Sequence, residues 1–301
     1  MTTPRSARVG LALGSGAARG LAHIGVIRAL EQAGIRPDLV CGTSVGAMVG
    51  AVYAAGELDA FEQWMLGLRI REMVGLMDVS LRSGLLKGDR LMEFFRTFVD
   101  RPIGELAVPF AAVATALDNG QEVWLRDGST RDAVRASIAL PGLFAPTLRD
   151  GSVLVDGGLV NPVPVSLARA MGADVVIAVD LGSDIVGRHL RAAPPSGAPI
   201  GTVDESMPET ENDIDGVVAL QSTEEPTLPS LLDVLASSLN IMQVRIARSR
   251  MAGDPPDLVV APRLAHLGLL DFHRAAEAIE EGRRAVERVA YNLALLDGRP
   301  R

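Results

Sequence analysis

Residues 8–55 read RVGLALGSGAARGLAHIGVIRALEQAGIRPDLVCGTSVGAMVGAVYAA, and the alternation of apolar runs with glycine-rich breaks decides the fold class. Arg8 to Leu13 is a short apolar run bounded by glycines, the pattern of a buried strand. After the break at 14–20, apolar residues recur at Leu21, Ile24, Val26, Ile27 and Leu30, which is helical spacing, and Gly34 is a fitting stop. Asp38 to Cys41 reads as a second strand, followed at once by the helix-like SVGAMVGAVYAAG. Strand–helix–strand–helix is the signature of a parallel sheet, so a three-layer α/β/α fold around a mainly parallel sheet is expected.

The rest of the chain extends this pattern. Residues 57–100 read as mostly helical, with a loop near Ser83–Gly88. Phe110 to Ala116 is strand-like. Asp118-Asn119-Gly120 is a strong turn signal, so Glu122 to Leu125 is expected to pair back as a hairpin. Thr130 to Ala139 reads as a short helix ended by Pro141-Gly142, and Val153 to Val155 and Val175 to Val179 as strands. A helical stripe runs through Leu231, Leu235, Leu239, Met242 and Ile246, Leu258 to Ala261 is a last strand, and 272–295 forms a final amphipathic helix. Between them, residues 182–229 are rich in proline, small polar residues and acids (Asp204, Glu205, Glu209, Glu211, Asp213, Asp215, Glu224 and Glu225). Such a segment buries too little surface to offset its ordering entropy. The expectation is one domain over 1–301, with its core at about 8–181 and 230–295 and a mobile acidic insert at about 182–229.

Composition bounds the function. In 301 residues, 48% are hydrophobic, ample for a substantial core, while 4% are aromatic and 31 are glycine, which favours close helix–sheet packing. A net charge of −8 argues against a nucleic-acid binder and against strong attraction to anionic lipid, but leaves room for an apolar contact with a membrane surface. With Cys41 as the single cysteine no intrachain disulfide forms, and a reducing compartment fits. The N-terminus has no apolar stretch of signal length, and no run approaches membrane-spanning length. These features point to a cytoplasmic protein, peripheral at a membrane if it meets one.

Three motifs carry chemistry. Gly42-Thr43-Ser44-Val45-Gly46 is a G-x-S-x-G between a strand and a helix, where a sharp turn strains the serine backbone and lifts its hydroxyl clear of the sheet. The same serine would serve as an ordinary helix N-cap. Gly14-Ser15-Gly16-Ala17-Ala18-Arg19-Gly20 follows the first strand and opens a helix, so its backbone N–H groups are presented to an anion. That anion is a pyrophosphate in a dinucleotide site or an oxyanion in a hydrolase. The dinucleotide fingerprint is off by one, with Arg at position 19, and neither Glu31 nor Asp38 suits the ribose-binding acid. Asp156-Gly157-Gly158 puts a carboxylate at a strand end beside two glycines, where it is either a base for a serine hydroxyl or a plain turn residue. Of the four histidines, His23 lies in the first helix and His189 at the edge of the insert. His266 and His273 come late, in the chain order of a Ser…Asp…His triad, and residue chemistry alone leaves them open.

Taken in order, GSGAARG at 14–20, GTSVG at 42–46 and DGG at 156–158 resemble the patatin-like phospholipase family, closely its bacterial branch. The resemblance extends through RGLAHIGVIRAL, ASIALPGLFAPT at 136–147, DGGLVNPVPVSLARAMGADVVIAVDL at 156–181 and NIMQVRIARSRMAGDPPDLVV. It implies a serine acyl hydrolase of phospholipase A or lysophospholipase type acting on lipid esters, with a Ser-Asp dyad in place of a triad. Ser44 matches the nucleophile and Asp156 the base. The oxyanion loop maps to Gly14, Gly16, Ala17 and Arg19, with the Gly16 and Ala17 N–H groups as donors and Arg19 supporting the loop. His23 matches a helix position that is not the base, and no metal or organic cofactor is implied. The family loop is often richer in glycine. Ser15 and Ala17 stand at glycine-like positions, where a Cβ calls for negative φ. Phe61, Trp64, Met65, Leu66, Leu85, Leu86, Leu91, Met92, Phe94 and Phe95 concentrate apolar bulk after the nucleophile, a region that in the family helps shape the acyl site and that amphipathic-helix packing also explains.

Overall fold

The computed structural model describes residues 7–69, 71, 75, 87–184 and 231–297. In chain order these form β1 (Val9–Leu13), a 3-10 turn (Ala17–Leu21), α1 (Ala22–Gln32), β2 (Leu39–Thr43), α2 (Val45–Ala55), α3 (Leu58–Gly67), α4 (Asp89–Phe95), β3 (Phe110–Ala116), β4 (Glu122–Leu125), α5 (Thr130–Ser137), β5 (Thr147–Arg149), β6 (Ser152–Asp156), α6 (Val165–Ala170), β7 (Val175–Val179), α7 (Leu231–Gly253), β8 (Leu258–Val260), α8 (Ala275–Arg288) and α9 (Ala290–Asp297). The eight strands make one mixed, mostly parallel sheet in the order β5-β6-β3-β2-β1-β7-β8, with β4 also on β3.

Period-2 alternation divides the core between two faces. Leu11, Leu13, Val40, Ala112, Ala114, Ile177 and Val179 pack with α1, α2, α3 and α8 on one side. Ala12, Leu39, Cys41, Ala111, Val113, Val176 and Ala178 pack with α6 and with Ala247 of α7 on the other. Cys41 is buried, its thiol 3.3 Å from the Pro164 carbonyl. The scarcity of bulky aromatics has a counterpart where α1 crosses α8. A Cβ on Gly25 would lie 1.8 Å from the Ile279 carbonyl oxygen, and one on Gly282 would lie 2.0 Å from that of Ala22.

Two registers place the chemistry. β1 and β2 are parallel neighbours with Leu13 beside Gly42, so the loop after β1 and the turn after β2 leave the sheet at the same carboxyl edge. That edge is where open α/β sheets build their sites. On β3, Val113 is flanked by Thr43 and Trp124, whereas Ala114 is flanked by Asp156 and Val123. A strand has only two edges, and β4 occupies one of them at both positions. Thr43 and Asp156 therefore lie consecutively along the other edge, where antiparallel β6 takes over from β2.

Several expectations need correction. Helix α7 forms where the stripe is read, but the stripe is not its buried face: Leu235 is 57% and Met242 52% exposed and Leu239 and Ile246 are half-buried, while Val244 and Ala247 are the buried residues among the described side chains of the helix. The final helix is divided: a 3-10 turn at Phe272–Arg274 precedes α8, and Val289, at φ −110°, separates α8 from α9. No glycine or proline marks that break. Strand β5 was not expected, although Asp150-Gly151 marks it. Both residues have positive φ (50° and 80°) in the two-residue turn to β6, the geometry favoured in tight hairpins. The expected insert at about 182–229 lies outside the described residues from 185 onward, as do His189, Leu85, Leu86 and most of the Ser83–Gly88 loop.

Candidate active site

Ser44 sits between β2 and α2 with φ 58° and ψ −127°, a conformation side chains rarely adopt and one that typically costs about 1–3 kcal/mol. The two glycines of the motif make the turn physically possible. A Cβ on Gly42 would lie 2.3 Å from the Gly46 carbonyl oxygen, and a Cβ on Gly46 would lie 2.3 Å from that of Leu13. Only bare backbone lets β2, α2 and the end of β1 approach this closely. The Ser44 side chain makes no capping bond to its helix, which removes the N-cap reading. Its N–H donates instead to Ser137 Oγ at 2.9 Å, and Ser137 in turn donates to the Val113 carbonyl at 2.6 Å.

The Ser44 hydroxyl donates to Asp156 Oδ2 at 2.6 Å. Asp156 is fully buried. Its other oxygen, Oδ1, accepts the Gly158 N–H at 2.7 Å, so the two glycines after it turn the chain back onto the carboxylate. Its backbone is fastened on both sides, by Asp156 N–H to the Ala139 carbonyl at 2.9 Å and by Thr115 Oγ1 to the Asp156 carbonyl at 2.8 Å. Burial pushes the Asp156 carboxyl up to about 6, against the opposing pull of the Ser44 and Gly158 hydrogen bonds. At neutral pH the group is thus mostly ionised yet a better proton acceptor than an exposed aspartate.

The loop from Gly14 to Gly20 lies beside this pair and is held from several directions. Gly14 N–H donates to Val179, Ser15 N–H to Pro162 and Ala18 N–H to Leu269. His23 Nε2–H donates to the Gly14 carbonyl at 2.8 Å; desolvation of the fully buried ring drives its pKa down to about 4, so it is neutral. Arg19 is buried, and its Nε donates to the Leu267 carbonyl at 2.8 Å, pinning the loop to the segment before α8. Among the described residues, neither the Gly16 nor the Ala17 N–H has a protein acceptor. The expectation of negative φ at Ala17 is overturned: it has φ 49°. A Cβ there costs roughly 1–2 kcal/mol.

Ser44, Asp156 and the loop, singled out in the sequence, lie together in the structure; not singled out were the residues that hold them, Ser137, Thr115 and the Thr43–Asn161 contact, in which Thr43 Oγ1 donates to the Asn161 carbonyl at 2.8 Å. Ser137 and Asn161 fall inside stretches that carried the resemblance, without a spacing that marks their role. His266 is on the surface, bonded to Glu277 at 2.7 Å, and His273 is exposed; neither partners Ser44. Phe61, Met65, Met92 and Phe95 are buried in the core, and Trp64 and Phe94 stack at 4.3 Å, so the apolar bulk after α2 is packing among the described residues. Leu66 is exposed. A cavity of about 670 Å³ opens near the start of α5, lined by Lys87, Ser129, Asp132, Arg135 and Arg149 among others, none of them a candidate residue.

Comparison with known proteins adds a second line. The family described as Patatin-like phospholipase matches residues 11–169. An uncharacterized NTE family protein of Mycobacterium tuberculosis is 35% identical, over 92% of this chain and 90% of its own length. Lysophospholipase NTE1 of Pyricularia oryzae is 30% identical over 91% of this chain, which spans only 18% of that longer protein. The human Patatin-like phospholipase domain-containing protein 6 is 37% identical over 58% of this chain and 13% of its own.

Proposed function

The chain belongs to the patatin-like phospholipase family and is a carboxylic ester hydrolase, and from that premise we propose that it cleaves lipid esters, of phospholipase A or lysophospholipase type, through a Ser44–Asp156 dyad. The observation that carries this reading is the 2.6 Å hydrogen bond from a strained serine hydroxyl to a buried carboxylate. Asp156 takes the proton as Ser44 Oγ attacks the ester carbonyl. The Gly16 and Ala17 amides receive the oxyanion, and a preorganised donor of this kind contributes roughly 2.7–4 kcal/mol. Asp156 returns the proton to the departing alcohol, then activates the water that hydrolyses the acyl-serine. The Ser44 N–H, held by Ser137, is not one of the oxyanion donors.

The substrate proposed is a fatty acyl ester reached by transient contact with a lipid surface. No helix among the described residues is long and apolar enough to cross a membrane. Val234, Leu235, Ile241 and Met242 on the outer face of α7 are exposed and support such a contact. The test is a series of p-nitrophenyl esters below their micelle concentrations, followed by a phospholipid and a lysophospholipid, with Ser44→Ala as control. Burial contributes about 0.8 kcal/mol per CH₂, so kcat/KM rises from acetate to decanoate if an acyl tail is bound. A steady fall along the series means a small-ester hydrolase, and turnover surviving in Ser44→Ala means another nucleophile.

A further inference from the structure

We propose that Gln243 is a positioning residue that ties the oxyanion loop to the turn carrying the base; this rests on the dyad reading above. Gln243 lies on the inner face of α7, opposite the exposed apolar side chains. Its Oε1 accepts from the Ser15 hydroxyl at 3.4 Å. Ser15 immediately precedes Gly16, one of the two proposed donors. On the other side, a Cβ built on Gly158 would lie 2.6 Å from Gln243 Nε2 and 3.0 Å from Asp156 Oδ1. The amide and the carboxylate therefore share the space over Gly158, which exists only because position 158 has no side chain.

The two segments that Gln243 touches already meet below it, where Ser15 N–H donates to the Pro162 carbonyl at 2.8 Å. A side chain from a third element closes the junction from above. A void of about 20 Å³ beside it is lined by Ser15, Gly16, Asn240 and Gln243, with room for about one water. Losing the Gln243 amide leaves the Ser15 hydroxyl without its acceptor beside this void. Water then competes for the Ser15 hydroxyl and the Gly16 N–H and loosens Gly158, whose N–H orients Asp156. Loss of orientation lowers the rate of the chemical step rather than the affinity for substrate. Of the charged groups lining the void, Arg19 donates from Nε to the Leu267 carbonyl while its buried Nη1 has no hydrogen-bond partner among the described residues, and Asp180 Oδ1 accepts the Gly182 N–H. Asp156 itself faces the Ser44 hydroxyl and the Gly158 N–H.

The experiment measures kcat and KM with p-nitrophenyl butyrate, and fluorophosphonate labelling at Ser44, for the wild type, Gln243→Met, Gln243→Glu, Ser15→Ala and Ser15→Ala/Gln243→Met. Methionine keeps the length and volume without the amide. The expected result is a kcat lower by about tenfold in Gln243→Met with KM within about twofold, and a double variant no slower than the slower single one. Gln243→Glu keeps an acceptor for Ser15 but sets a carboxylate beside Asp156, so the acid limb of its kcat/KM profile moves to higher pH. A Gln243→Met enzyme with wild-type kcat, additive losses in the double variant, or an unmoved acid limb in Gln243→Glu overturns the inference, while Ser44 labelling that is lost in Asp156→Asn upholds the dyad. Absence of Ser44 labelling in the wild type overturns both.

Discussion

Replacing Asp156 by asparagine is expected to inactivate the enzyme and stabilise the fold at the same time. The carboxyl is fully buried and its pKa is raised from 3.8 to about 6, chiefly by desolvation. Below 3.8 both folded and unfolded chains hold the proton. Between 3.8 and about 6 the unfolded chain releases it while the folded chain keeps it, so folding stability falls as pH rises through this window and levels off above it. A difference of this size corresponds to about 3 kcal/mol at pH 8. Asparagine removes that cost. Its carbonyl can still accept the Gly158 N–H, but its amide nitrogen meets the Ser44 hydroxyl as a donor, so a net gain of about 1–3 kcal/mol is expected at pH 8. Urea denaturation of both proteins at pH 8 and pH 5 measures it, and the variant's advantage should shrink by about half at pH 5. Turnover should drop by 10²-fold or more, the usual contribution of a general base. An advantage that does not change with pH, or a variant less stable than wild type at pH 8, would refute the claim that a buried, mostly ionised carboxylate is held at a cost to stability for the sake of basicity.

The same value sets the pH–rate profile: kcat/KM should fall on acidification with an apparent midpoint near 6, measured with a neutral ester, and His23, driven down to about 4, contributes nothing to that limb. Ser44→Ala should abolish turnover and fluorophosphonate labelling. Ser44→Gly should be equally inactive but more stable than Ser44→Ala by about 0.5–1 kcal/mol in thermal melts, because glycine tolerates φ 58° where alanine does not. His266→Ala and His273→Ala should stay within about tenfold of wild-type kcat/KM, and a variant of either as inactive as Ser44→Ala would restore a triad.

What the sequence made legible follows from how local each signal is. β1, β2 and the helices after them are written in runs of apolar spacing and glycine breaks, and both glycines of GTSVG have a steric reason that needs only neighbouring backbone. The stripe on α7 locates the helix, but periodicity finds an apolar face without saying what covers it: Val244 and Ala247 are buried, while Leu235 and Met242 are exposed. Gln243 could not have been read as a site residue for the same reason: nothing in its local sequence records that Ser15 and Gly158 lie against it. Aromatic and methionine bulk after α2 invited an acyl-site reading, but composition cannot distinguish a pocket lining from a core, and the described side chains are mostly core.

The proposed base shows the limit most clearly. Asp156 lies 112 residues beyond Ser44, and no spacing rule links them. What brings them together is register, with Asp156 opposite Ala114 on the edge of β3 where Thr43 is opposite Val113. Side chains on a strand alternate faces, so a slip of one residue in β6 would turn the Asp156 carboxylate to the other side of the sheet and leave Ser44 without its acceptor. Three features oppose such a slip: the Asp156 N–H on Ala139, the Thr115 hydroxyl on the Asp156 carbonyl, and the two-residue Asp150-Gly151 turn that sets β5 against β6. The first two act at the base itself. The turn acts five and six residues away, where Gly151 at φ 80° leaves little choice of residue. In the proposed mechanism the hairpin therefore acts on the dyad through register alone, since none of its turn residues touches Ser44.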